Sequence, residues 1–112
     1  MARQTFTRNL IDHPTLPELA SGLKRWAERS PELLRIEERG RSVEGRPILL
    51  ARVTDSLVAD DDKQVVFLSA HHAGSEITGC TSLLHLTRWL LSDDPAADHL
   101  RKSLVILVMP VL

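Results

Sequence analysis

Residues 1–14 show no clear period and read as an irregular lead-in. From Thr15 onward the apolar positions fall into two patterns, stripes at helical spacing and short continuous runs. Thr15-Leu16-Pro17-Glu18 spells a capping box, with proline in the first helical turn, where it is tolerated. Leu16, Leu19, Ala20, Leu23 and Ala27 follow at helical spacing, with Trp26 on the flank, which predicts a helix covering one sheet face. Ser30-Pro31 stops it, because proline disfavours helical geometry in its predecessor. Leu33 to Arg39 and Pro47 to Thr54 then read as two strands joined through the glycine-bracketed segment 40–46, a hairpin with a longer loop. Asp60-Asp61-Asp62-Lys63 reads as a charged, solvated turn.

Residues 65–70 form a continuous apolar run with the β-branched and aromatic bias of a buried strand. The strongest helical pattern spans 77–91, where Cys80, Leu83, Leu84, Thr87, Leu90 and Leu91 share one stripe widened by Leu86 and Trp89. Asp94-Pro95 restarts a short helix to about Lys102 with Asp94 as its cap, and Leu104 to Met109 is another fully apolar strand. Strand, amphipathic helix, strand predicts a right-handed parallel crossover. The expected class is therefore α/β, a mixed parallel and antiparallel sheet flanked by helices, with an antiparallel pair preceding a parallel unit. Residues 15–112 then read as the front part of a larger domain, because Pro110-Val111-Leu112 comes directly after a core strand. Such a domain is expected to leave an unpaired sheet edge at 104–109 through which the chain can self-associate.

Composition narrows this picture. The 112 residues leave room for one domain, and 43% hydrophobic content supports a packed core. The formal net charge is −1 and the 14 basic residues are scattered, which argues against nucleic-acid and membrane-surface partners. A single cysteine, Cys80, excludes an intrachain disulfide framework and a multi-cysteine zinc module, and its place in an apolar stripe makes it a core residue. No apolar stretch has signal-peptide or membrane-span length, so a cytoplasmic chain is expected.

Candidate chemistry concentrates where the run 65–70 stops, at His71-His72-Ala73-Gly74-Ser75-Glu76. Catalytic zinc sites often combine two histidines with one glutamate. His72 and Glu76 are separated by three residues centred on Gly74, and a helical turn starting near Ala73 would put both on one face as i,i+4 neighbours. By spacing alone such a pair is more often an ordinary hydrogen-bonded pair than a metal site; placement at a strand end, before a helix, is what favours a metal. His71 is the rival ligand, or a residue orienting one. Strand alternation sends His71 and His72 to opposite sides, so only one of them faces a given ion. His85 and His99 read as surface or core histidines, and His13 has no partner in view. Ser69, Ser75 and Cys80 lack the glycine-flanked elbow of an activated nucleophile, and no phosphate-cradling glycine loop is present. The acidic turn at 60–63 lacks a glycine-spaced calcium loop.

Two segments together resemble the zinc carboxypeptidases of the carboxypeptidase A/B type. Gly40-Arg41-Ser42-Val43-Glu44-Gly45-Arg46-Pro47-Ile48 is similar to the segment preceding their active-site strand, and His72-Ala73-Gly74-Ser75-Glu76 stands where they carry a His-x-x-Glu zinc motif. The long helix, Asp93-Asp94-Pro95 and the run 104–111 follow in the family's order. The resemblance covers residues 15–112 and implies an α/β/α domain present in its N-terminal part, one zinc ion held by His72 and Glu76, and hydrolysis at or near a free C-terminus. The gap between His72 and Glu76 is one residue longer than in the common motif, matching a His-x-Gly-x-Glu variant. Ser75 stands where many members have a cleft arginine, which bears on specificity. The third ligand, the general base and the substrate-binding cations are implied to lie beyond residue 112, and no catalytic residue is assigned within the chain. Arg41 and Arg46 read as loop or sheet-edge residues. Three functions follow: a zinc carboxypeptidase acting on peptides, a zinc amidohydrolase or deacylase acting on N-acyl amino acids or cell-wall peptides, and a non-catalytic truncated binding module.

Overall fold

The computed structural model of the chain describes residues 15–70 and 77–111. Its elements run helix α1 (Leu16–Arg29), strands β1 (Leu34–Arg41) and β2 (Pro47–Val53), a 3-10 turn (Asp60–Asp62), strand β3 (Gln64–Ser69), helices α2 (Ile77–Leu90) and α3 (Pro95–Ser103), and strand β4 (Leu104–Met109). The capping box forms as the sequence predicts: the Glu18 N–H donates to Thr15 Oγ1 and the Thr15 N–H donates to Glu18 Oε1 at 2.8 Å. At the other end the Ser30 N–H closes the helix on the Trp26 carbonyl. The buried stripe of α1 is Leu19, Leu23 and Trp26. Trp26 is therefore central rather than flanking, since positions i, i+4 and i+7 place it above Leu19 and Leu23.

β1 and β2 form the expected antiparallel hairpin, with a register shift between Glu38 and Gly40. The turn is shorter than the 40–46 segment suggested and occupies 42–46. The Ser42 N–H bonds the Arg46 carbonyl, the Gly45 N–H bonds the Ser42 carbonyl, and Gly45 takes φ 82°, a left-handed conformation that favours glycine. Arg41 donates to the Gly45 carbonyl and pairs with Glu38, and Arg46 pairs with Glu44. Both arginines are consumed by the hairpin itself, as the sequence implied.

The four strands form one sheet in the order β1-β2-β4-β3, with β4 antiparallel to β2 and parallel to β3. The parallel unit is thus as predicted, but β4 lies inside the sheet and not at its edge. Val105, Ile106, Val108 and Met109 are all buried. β3 is the edge strand among the described residues, and it is not buried as its composition suggested: Val65 is 65% and Phe67 55% exposed. Its alternate residues divide, with Leu68 packed against the core and Val65 and Phe67 on the opposite face.

One core cluster joins α1 (Leu19, Leu23, Trp26), β2 (Leu49, Ala51, Val53), β4 (Ile106, Val108) and α2 (Cys80, Leu84, Leu90). The Thr87 hydroxyl, buried within α2, donates to the Leu83 carbonyl at 2.8 Å, which satisfies it inside its own helix. α3 begins at the Asp94 cap, whose carboxylate accepts from the Ala96 N–H at 2.8 Å.

Candidate metal centre

Strands β3 and β4 run parallel, so their carboxyl ends lie side by side at one end of the sheet. In open α/β sheets this is where ligand sites form, because the chain leaves the sheet there and side chains can converge. The pairing continues one residue past β3: the Ala70 N–H donates to the Met109 carbonyl at 3.1 Å. Ala70 is buried, and the start of α2 comes back against it, with Gly79 close over its methyl group. Ala70 and the start of α2, which flank residues 71–76 in sequence, therefore meet at the carboxyl end of β3.

His71, His72 and Glu76 themselves lie outside the described residues. Their donor chemistry suits zinc, since a neutral imidazole nitrogen and a carboxylate oxygen are both ordinary zinc ligands. Among the described residues no group of three or more His, Cys, Asp or Glu could hold a metal. His85 and His99 are exposed on α2 and α3, away from any such group. His13 lies outside the described residues. Cys80 is buried in the core, where burial pushes its thiol pKa up and keeps it protonated and unreactive. A cavity of about 540 Å³ opens at this end of the sheet, lined mainly by apolar groups including Pro17, Leu19, Ile48, Pro110 and Val111.

At the opposite end, charge is organised in a way the sequence did not suggest. Lys63 was expected on a solvated turn, yet its side chain is only 2% exposed. The three protons of its ammonium are shared among four oxygens, Thr54 Oγ1 and the Asp55 carbonyl at 2.8 Å and the Val58 carbonyl and Asp60 Oδ1 at 2.9 Å. Thr54 Oγ1 in turn donates to the Leu104 carbonyl at 2.8 Å. The three aspartates are exposed as expected, and Asp60 bridges Lys63 and Arg52. The hydrogen bond from Lys63 holds the Asp60 carboxyl below the usual carboxylate range, with the charges of Lys63, Arg52 and Arg35 acting the same way. A lysine directly before a strand was the only available signal, and it does not distinguish a buried ammonium from a solvated one.

Comparison with known proteins places these observations in a family. The family described as zinc carboxypeptidase matches residues 19–112. Among solved structures, thrombin activatable fibrinolysis inhibitor superposes with a TM-score of 0.80 at 19% identity, covering 94% of this chain and 27% of that one. Carboxypeptidase A from Helicoverpa armigera gives 0.71 at 22% identity, covering 94% and 27%. A metallo-carboxypeptidase from Burkholderia cenocepacia gives 0.73 at 23% identity, covering 85% and 26%. The chain thus spans about a quarter of the length of the structures it resembles. A comparison with curated proteins found no match.

Proposed function

Because this chain belongs to the zinc carboxypeptidase family over residues 19–112, we propose that it supplies the N-terminal portion of a metal-dependent hydrolase that cleaves peptide bonds at or near a free C-terminus. His72 and Glu76 hold one zinc ion in this reading. The observation that carries it is the family match over residues 19–112, supported by the meeting of the flanking residues, Ala70 and the start of α2, at the carboxyl end of β3 beside β4. When bound, the metal supplies Lewis acidity and a water of lowered pKa. The chain's own part is to present two donors and hold them in register. His72 binds as neutral imidazole and Glu76 as carboxylate, so a dication keeps part of its charge for substrate and water. No third ligand, general base or substrate cation is assigned to this centre among the described residues.

The test is metal content. In the full-length protein, His72→Ala and Glu76→Ala should each abolish stoichiometric zinc without unfolding the sheet, as read by metal analysis and circular dichroism, while His71→Ala retains it. Zinc that survives His72→Ala and disappears in His71→Ala would show that the ligand is His71. The 112-residue chain alone should release no C-terminal amino acid from peptides, because the groups that stabilise the transition state in such reactions are not among its assigned residues.

A second reading, an amidohydrolase or deacylase of N-acyl amino acids or cell-wall peptides, is favoured by Ser75, which stands where many carboxypeptidases carry a cleft arginine. The same two metal donors would serve it. Assays of peptide and N-acyl amino acid substrates side by side separate the two.

A further inference from the structure

Arg35 and Arg52 stand directly opposite each other in the register of β1 and β2. Their side chains therefore leave the same face of the sheet, about 4.5–5.5 Å apart at Cβ, and like charges in that position oppose strand pairing. Asp60 relieves this for one of the two. Its Oδ2 accepts from Arg52 and its Oδ1 from Lys63, so both carboxylate oxygens are engaged. Arg35 acts on Asp60 only through its field, which helps to hold that carboxyl low. It makes no hydrogen bond or ion pair among the described residues.

Both arginines line a cavity of about 250 Å³ at the amino end of β3 and β4, together with Glu32, Ser56 and Asp60. The loop after β2 forms its wall and is clipped to the start of β1, because the Ser56 N–H donates to the Glu32 carbonyl at 3.0 Å. Glu32 pairs with neither arginine among the described residues. Three cations, Arg35, Arg52 and Lys63, thus surround the two carboxylates Asp60 and Glu32, and the cavity keeps an excess of positive charge. A solvated arginine needs no anion. Arg35 differs in facing a second guanidinium across a shared cavity whose nearest carboxylate is already bonded to two other cations.

We propose that this cavity is an anion site that takes a phosphoryl group, held between the Arg35 guanidinium and the donors of Arg52 that Asp60 leaves free, with the Ser56 hydroxyl beside them. Guanidinium forks bind phosphate oxygens in pairs, and the three or more oxygens of a phosphoryl group can serve two forks at once. The two oxygens of a carboxylate fill one fork and leave the other facing its own kind. Bound there, a dianion would also cancel the repulsion between the two strands. The site lies at the end of the sheet opposite the proposed metal centre, so it does not depend on the assignment of His72 and Glu76.

The test is calorimetric titration of the full-length protein with inorganic phosphate, exchanged against chloride at constant ionic strength because salt screens exposed charges. Wild type is compared with Arg35→Gln, Arg35→Lys and Arg39→Gln, the last an exposed arginine of the same strand away from the cavity. Arg35→Gln should weaken phosphate binding about tenfold or more, the contribution of hydrogen bonds to a charged group. Arg35→Lys, which keeps the charge and loses the fork, should fall between, and Arg39→Gln should match wild type. Arg35→Gln removes a like-charge contact, so in chloride its urea midpoint should equal or exceed that of wild type, whereas phosphate should raise the wild-type midpoint more than the variant's. Glycerol 1-phosphate distinguishes the source: tighter binding than inorganic phosphate, lost in Arg35→Gln, selects the phosphoryl end of a larger molecule, and weaker binding selects the free ion. Equal phosphate affinity in wild type and Arg35→Gln would place the anion elsewhere, for instance on a metal, and overturn the inference, as would a wild type that binds no phosphate. Acetate that binds as tightly as phosphate would overturn the phosphoryl assignment.

Discussion

Lys63 illustrates how much one side chain can organise. Its ammonium gathers oxygens from Thr54, Asp55, Val58 and Asp60, and Thr54 passes the connection on to the Leu104 carbonyl. The start of β3 is thereby tied to the end of β2 and the start of β4. Replacing Lys63 by Met leaves those oxygens without their donor in a poorly hydrated site, and should cost about 1–3 kcal/mol in urea denaturation. The same network predicts a pH response. Asp60 has a carboxyl pKa held below its ordinary value by Lys63, so its contribution is present above the unfolded-state pKa of about 3.9 and is lost as pH falls through the lower folded-state value. Stability should therefore decline on acidification below about pH 4, and Asp60→Asn should flatten that part of the curve; an unchanged slope would detach Asp60 from the effect. Trp26 matters for a different reason. At 1% exposure it fills the space between α1 and the sheet, and Trp26→Ala should cost about 3–5 kcal/mol by denaturant titration.

Among the elements, the junction of α2 and α3 depends on one buried arginine. Arg101, on α3, donates to the Leu90 carbonyl at the end of α2 and to the Ser92 carbonyl at 2.9 Å, while Asp98 pairs with it from the preceding turn. A cation at a helix C-terminus satisfies carbonyls that have no partner within the helix and complements the negative end of its dipole. α3 thus docks as a cap on α2. Arg101→Met keeps most of the side-chain volume and removes these bonds, and should destabilise the domain by about 1.5–3 kcal/mol. Amide exchange should rise first at 88–92, the end that loses its donor. The proposed metal donor Glu76 immediately precedes the far end of α2, so the same variant tests whether the two ends are coupled.

At the scale of the whole molecule, the two outer strands of the described sheet differ in kind. β1 carries Arg35, Glu37, Glu38, Arg39 and Arg41 and a register shift, features that discourage pairing with a further strand. β3 carries exposed Val65 and Phe67 and an unshifted register with β4. An exposed apolar edge of this kind promotes association. The 112-residue chain is therefore expected to self-associate through β3 in a concentration-dependent way, seen by sedimentation. Phe67→Lys should shift it toward monomer, whereas Arg39→Ala on β1 should not. A wild-type chain that remains monomeric at high concentration would remove β3 as an association surface.

Local chemistry was enough for much of this chain. The capping box at Thr15 and Glu18, the Asp94 cap, the stripe of α2 and the turn glycine of the hairpin are interactions between residues close in sequence, so their spacing alone specifies them. The family is legible for the same reason, because segment 40–48 is a short contiguous motif, while the proposed donors His72 and Glu76 lie outside the described residues. Other features required distant residues. Lys63 is buried because Thr54 and Asp55, just past the end of β2, come to lie beside it, and Trp26 is central because of how α1 rolls on the sheet. Gly79 lies against Ala70 only because α2 returns to the end of β3. The plainest case is the pair of apolar runs in β3 and β4. By pattern both read as buried strands, yet among the described residues β4 lies between two neighbours and β3 at the edge. A strand has two hydrogen-bonding edges, and its own residues do not determine how many are filled. That depends on which other strands reach it, and only the tertiary structure decides it.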